Sequence, residues 1–320
     1  MKHLRRLLLS VALVATACGP MQTADEFRAA SPSRQGLKIE IPASGSKALS
    51  DGDVGSQKQG LGQTAELYKA TVFVTTVVNG GLVFVAHLCE DIVKQEPTKQ
   101  TADQAVWGPA TPDLSPDTFR FTVTRKGTAF DYALEARPKT AADSAFVTLL
   151  SGTHTPDAKS GGKGSFTIDW DAAKAMARPP KEIGKASYAY EKNAAGDVVI
   201  GTQFRQVRDE PTGQKIDADY GYSKLVGGEG AFEFAVQKDL QANASRNELF
   251  AIRSRWQDKG MGRSDFTISG GDVTTPVTAS ECLSETFGRT YYKDSANFSP
   301  AEGDEKSCAF AQASYPAPKS

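Results

Sequence analysis

Apolar and polar residues alternate along this chain with two different periods, and the change of period divides it. Between residues 64 and 94 the period is helical. Leu82, Val85, Ala86, Cys89, Ile92 and Val93 recur at helical spacing, while His87, Glu90, Asp91 and Lys94 fall on the other side, as on an amphipathic helix. Upstream, Leu67, Thr71, Val74 and Val78 keep the same spacing, although the β-branched run 71–78 also suits a strand. Asn79-Gly80-Gly81 between the halves predicts a break or kink. The uncharged run 70–86 approaches the length of a membrane span, but a polar Asn79 and two glycines at its centre are costly in hydrocarbon. The expectation is a pair of helices buried against a β domain.

From about residue 98 the period drops to two. Phe119-Arg120-Phe121-Thr122-Val123 and Phe130-Asp131-Tyr132-Ala133-Leu134 flank a turn at Lys126-Gly127. Gly162, Gly196, Gly228 and Gly262 then recur about every 32 to 34 residues, a period that marks a repeated unit. Each is followed four residues later by Phe166, Ile200, Phe232 or Phe266, and alternating runs lie on both sides. Each unit reads as a β-hairpin with glycine at its tip, where a positive φ is needed. The fold class expected is mainly β with a helical segment: an up-and-down antiparallel meander of about ten strands. A sheet so wide should curl strongly or close into a barrel, plugged or covered by helices. A short helix at 171–176, capped by Asp171, should fill one link.

The first residues follow another logic. Met1-Lys2-His3-Leu4-Arg5-Arg6 is basic, residues 7–14 are apolar apart from Ser10, and Ala15-Thr16-Ala17 are small, the order of a secretory signal. Cys18 directly after them, followed by Gly19, resembles a bacterial lipoprotein signal. That resemblance implies cleavage before Cys18, fatty acyl chains on its sulfur and amino group, and, with Gly19, delivery to the outer membrane. Several acyl chains at about 0.8 kcal/mol per buried methylene make a stable anchor. The domains expected are a signal peptide at 1–17 and a flexible tether at 18–62 with one possible short strand at 37–41. A helical segment at 63–97, a β domain at 98–272 and a loop-rich, disulfide-stapled extension at 273–320 complete the chain.

Composition narrows the chemistry. The 37 Lys and Arg nearly balance the 38 Asp and Glu, which argues against a nucleic-acid partner. With Cys18 acylated, three cysteines remain. Cys282 with Cys308 is the pairing expected, closing a loop of about 25 residues for roughly 3 kcal/mol; the other two pairings stay open. Cys89 would then be a buried free thiol. Of three histidines one lies in the signal, so a histidine triad or multi-histidine metal site is not expected. His87 and His154 read as surface and loop residues.

Ser44 with Lys47 and Ser160 with Lys163 have the spacing of a serine-lysine nucleophile pair but sit in Gly/Ser-rich loops. Tyr188 with Lys192 and Tyr220 with Lys224 read as strand aromatics and turn lysines. Asp169 and Asp171 read as a helix cap, and Asp51-Gly52-Asp53 lacks the oxygens of a calcium loop. No catalytic residue, metal ligand or cofactor is expected, and the chain is read as non-enzymatic.

Val78-Asn79-Gly80-Gly81-Leu82, Val106-Trp107-Gly108-Pro109 and the Phe/Tyr hairpins are similar to lipoproteins of unassigned activity from myxobacteria, a likeness that concerns fold and not mechanism. The leading functional expectation is binding of an apolar ligand or envelope component at the membrane. The alternative is a structural lipoprotein, its sheet filled by its own helix, that acts through protein contacts.

Overall fold

The computed structural model describes residues 24–30, 39–42, 60–157, 162–209, 213–239 and 246–314. Their strands form one antiparallel sheet whose spatial order is the order of the chain. It begins with β1 (Lys99–Gln100), β2 (Gln104–Ala110), β3 (Asp117–Lys126), β4 (Ala129–Pro138) and β5 (Val147–Thr155). It continues through β6 (Gly162–Asp169), β7 (Lys185–Lys192), β8 (Val198–Arg208), β9 (Lys215–Lys224) and β10 (Gly230–Lys238). It ends with β11 (Glu248–Trp256), β12 (Gly262–Gly270), β13 (Val273–Leu283), β14 (Arg289–Asp294) and β15 (Glu302–Gly303). Two helices, α1 (Ala24–Ala29) and α2 (Glu66–Val93), lie on one face.

The period of two decides which residues meet the helices. Phe166, Tyr188, Thr202, Tyr220, Phe234, Ile252 and Phe266 stand opposite one another on seven successive strands. Their rings stack or tilt together, Phe166 on Tyr188 at 4.6 Å and Tyr220 on Phe234 at 4.9 Å between centroids. Glycine provides seats for the larger rings. Gly152 lies opposite Tyr132, and a Cβ there would come within 2.5 Å of the Tyr132 hydroxyl. Gly230 lies opposite Trp256, whose indole would be 2.4 Å from such a Cβ.

α2 has 28 residues and is therefore about 42 Å long. It crosses the strands from Glu281 on β13, beside its first turn, to Trp107 on β2, whose indole N–H donates to the Gln95 carbonyl just beyond its end. Val78, Ala86, Cys89 and Val93 point from it into the core, beside Phe121, Tyr132, Tyr190 and Ile200. Covering by this rod removes the need for closure. The expected strong curl or barrel is not what forms: β1 and β15 end the order unpaired with each other, and the strands are fifteen rather than about ten.

Five other expectations are corrected. The region 64–94 is one helix, without a break at Asn79-Gly80-Gly81. The Thr71, Thr75 and Thr76 hydroxyls donate to carbonyls four residues back, so they lie within the helical ladder. Asn79 turns its amide outward to the 39–42 segment instead of competing with the ladder.

Part of 18–62, expected to be a flexible tether throughout, is packed against the sheet. Phe27 and Ala30 are fully buried, Phe27 edge-on to Phe130 at 6.0 Å, and Ile39 is 3 % exposed. Burial of such a side chain contributes about 2–3 kcal/mol, enough to hold these short segments down.

The stretch 273–320, expected to be loop-rich, carries β13, β14 and β15. Its alternation is masked because both faces of β13 are covered near its end. Finally, the 3₁₀ turn Ala172–Ala175 is capped by Asp169, which accepts the Ala172 N–H at 2.9 Å. Asp171 accepts the N–H of Gly184 instead. Among the periodic glycines, Gly162, Gly196 and Gly228 take positive φ, whereas at the β11–β12 turn Gly260 does so in place of Gly262.

Candidate functional site

Three surfaces of the sheet could carry function, and the covered face comes first. Beneath α2, Cys89 sits with Tyr132, Tyr190 and His154. His154 Nδ1 and the Tyr190 hydroxyl are 2.9 Å apart, and their rings stack at 6.0 Å. A buried cysteine and a buried histidine with Tyr190 as a common neighbour invite a nucleophile reading, but the electrostatics oppose it. Burial, with a smaller contribution from Glu90, pushes the Cys89 thiol up to about 12. Reactive thiols are shifted the other way, by nearby positive charge. Burial also lowers the proton affinity of His154, partly offset by its backbone hydrogen bond with Lys163. A neutral thiol and a neutral imidazole are packing groups with satisfied edges.

The opposite face, over β3 to β9, is left uncovered by the described residues and carries many small side chains among a few ion pairs. Thr122, Asp131, Ala133, Ser151, Thr153, Ser165, Thr167, Ser187, Ala189 and Gln203 alternate with the buried aromatics. Cross-strand hydroxyl pairs link it, Thr167 with Ser187 at 2.9 Å and Thr153 with Ser165 at 3.3 Å. Three open hollows of about 530, 430 and 570 Å³ lie along this face. Each hydroxyl can both donate and accept, and the short side chains let a partner approach the strands closely.

The third surface is a groove of about 510 Å³ between α2, the 39–42 segment and the β9–β10 and β11–β12 turns. Its lining mixes Ile39, Ile41, Pro42 and Val72 with Asn79, Lys224 and Asp258. The 39–42 segment already fills its floor. Asn79 exchanges two 2.8 Å hydrogen bonds with the Ile39 backbone. The Tyr222 hydroxyl donates to the Glu40 carbonyl at 2.7 Å, and the Tyr68 hydroxyl donates to the Pro42 carbonyl.

At the far end of the sheet both faces are buried, which the sequence did not signal. Arg263 and Asp265, each 1 % exposed, pair at 2.8 Å on the face away from α2. Asp265 also accepts from the Ser280 hydroxyl and the Ala313 N–H, and Arg263 also binds Glu305. The C-terminal segment that covers them is tied down by a Cys282–Cys308 disulfide with Cα atoms 5.5 Å apart. On the α2 side, Glu281 pairs with Arg289 at 2.7 Å and accepts the N–H groups of Glu66 and Leu67. Nothing in the residue pattern Gly262-Arg263-Ser264-Asp265 marks these two charged residues as buried.

The remaining candidates do not converge. His87 is exposed and pairs with Asp91 at 3.3 Å. Tyr188 is buried while Lys192 is exposed, and Lys224 pairs with Glu40 at 3.2 Å. Asp169 pairs with Lys185, which with its backbone donors holds its carboxyl below the usual range against the opposing effect of burial. Cys18, Ser44, Lys47, Asp51, Asp53 and Ser160 lie outside the described residues. Among the described residues no three His, Cys, Asp or Glu side chains gather as a metal site would require, and no helix is long and apolar enough to cross a membrane. No family model matches the chain, and neither a curated protein nor a solved structure is significantly similar to it.

Proposed function

We propose that this chain is a lipid-anchored lipoprotein of the bacterial cell envelope, held by acyl chains on Cys18, that works as a non-enzymatic scaffold. Its partner, another envelope component, is received on the Ser/Thr-lined face of β3 to β9. The observation that supports this reading is the occupancy of the other face. Val78, Ala86, Cys89 and Val93 of α2, with Phe27 of α1, fill the ground above the strand aromatics that an apolar ligand would use. Carriers of such ligands keep a cavity of several hundred Å³ lined mainly by apolar groups. The hollows on the other face are open to solvent instead of enclosed, and Thr122, Ser151, Ser165, Thr167 and Ser187 place hydroxyls among their lining. Hydrogen bonding over a broad, small-residue surface suits a protein or glycan surface better than an acyl chain.

Native mass spectrometry of the full chain extracted from membranes tests the choice. The expected result is acyl chains on Cys18 and no further bound lipid. A co-purifying lipid released without loss of the acyl chains would overturn the scaffold in favour of the apolar-ligand carrier. Unmodified Cys18 would remove the anchor.

A further inference from the structure

Among the described residues the exposed apolar side chains are unevenly placed. Leu61, Val199, Leu225, Val226 and Met261 all sit at the end of the sheet that carries the β7–β8, β9–β10 and β11–β12 turns. Val226, 66 % exposed, and Leu225, 48 % exposed, form the tip of the β9–β10 turn. The opposite end, which carries the links 111–116, 139–146 and 170–184, shows Leu114 and Phe298, and the outer side of α2 shows Phe73.

The turns at the apolar end brace one another. The Val226 N–H donates to Asp197 of the neighbouring turn at 3.0 Å, and Gly228 lies against the Asp258 side chain on the other side. A row of tips fixed in this way presents its apolar residues without an ordering cost on contact.

The position of α1 ties this end to Cys18. α1 is fixed beside the β3–β4 turn, with Glu26 on Arg125 at 2.6 Å and Phe27 on Phe130. Cys18 and Ala24 are six positions apart, so the two cannot be more than about 22 Å apart at the 3.6 Å limit per residue. β4, ten residues long, sets the other end of the sheet about 33 Å further away. An anchor at Cys18 therefore reaches the tight-turn end and cannot bring the far end to the same membrane.

We propose that the tight-turn end of the sheet rests on the lipid surface, with Leu225 and Val226 at the headgroup level, so that the strands stand away from the membrane and the hydroxyl face remains open sideways. This rests on Cys18 being the acylated residue. Lys224, Asp197, Glu229, Asp258 and Lys259 mix both signs at this end, so the contact is apolar and should depend little on salt.

Hydrogen–deuterium exchange of the full-length gene product tests it, on vesicles of phosphatidylethanolamine and phosphatidylglycerol, with Cys18→Ser in solution as the reference. Intact mass is read first. The expected result is an acylated chain whose amides at 225–229 and 257–261 exchange more slowly on vesicles, at low and high salt alike, with 111–116 and 139–146 unchanged. The double substitution Leu225→Asp, Val226→Asp should remove the slowing while leaving acylation and the unfolding midpoint in place. An acylated chain with slowing at 72–80, at 111–116 or nowhere overturns the orientation alone. A chain without acyl groups overturns the anchor and the orientation together.

Discussion

Glu281, near the end of β13, accepts the backbone N–H of Leu67 at 2.7 Å across a sequence separation of 214 residues. The N–H of Glu66 donates to the other carboxylate oxygen at 3.0 Å. No local side chain caps α2, so a strand residue does what a neighbouring Ser or Asp ordinarily does. The carboxylate also meets the positive end of the helix dipole. Burial raises the proton affinity of Glu281, and Arg289 with the two backbone donors acts against that shift. Substitution Glu281→Ala leaves Arg289 buried without its closest partner and should cost roughly 3–5 kcal/mol. The double substitution Glu281→Leu, Arg289→Leu should recover most of this, leaving a loss near the roughly 1 kcal/mol of a missing cap. Urea unfolding of the three chains measures both quantities. Equal losses in the single and double variants would show that the ion pair is not what the single variant disrupts.

The disulfide Cys282–Cys308 closes a separation of 26 residues, for which chain entropy gives about 3–4 kcal/mol. Its second effect is local. Asp265 accepts from the Ala313 N–H, and Arg263 donates to the Phe310 carbonyl and the Glu305 carboxylate, only while the C-terminal segment stays in place. The double substitution Cys282→Ala, Cys308→Ala should lower the unfolding free energy by that amount. Amide exchange should also rise at 305–313 before any change at β3 to β9. Uniform acceleration across the sheet would mean that the segment is not a separate unit.

How far the sequence foretold this arrangement depends on which period a residue obeyed. Phe121, Tyr132, Phe166, Tyr188 and Phe232 lie in clean alternation, and all are buried on one face. Their meander is visible in the sequence because each hairpin is local. Cys282 and Cys308 likewise pair in the structure. What α2 does was not visible, because the effect of Asn79-Gly80-Gly81 depends on partners far away in sequence. Asn79 breaks a helix when its amide competes for backbone groups; here Ile39, forty residues upstream, takes it. Closure failed as an expectation for a related reason. Alternation reveals that one face is apolar, but not whether a sheet or a rod covers it. The hydroxyl face was present in the alternation all along, as Thr122, Ser151, Ser165 and Ser187. It carried no motif, since small polar residues are also what any solvated strand face shows.

Gly80 tests the unbroken helix directly. It is exposed, lies in the middle of α2, and a Cβ there would meet nothing within 4 Å. Gly80→Ala should therefore stabilise the protein by about 0.5–1 kcal/mol, the helix-propensity difference between the two residues. A raised thermal midpoint with unchanged helical ellipticity is the expected result. A loss of stability would indicate that Gly80 supports a bend in solution.

His154 should give the fold a pH dependence on the acid side. It is 6 % exposed, and burial lowers its proton affinity below the ordinary value of 6.5. In the unfolded chain the imidazole keeps that ordinary value, so between the two the unfolded state binds more protons. Stability contributed by neutral His154 is therefore fully present above about pH 6.5 and is lost as the pH falls through that value toward the lower folded one. Protonation would also place a charge against Tyr190 beneath α2. Urea midpoints measured at about pH 7.5 and pH 5 should differ more for the natural chain than for His154→Gln. The substitution itself costs stability at the higher pH, through the changed contact with Tyr190, so the difference between the two pH values is the quantity that decides. Parallel curves for the two chains would show that His154 is not the source of the acid sensitivity.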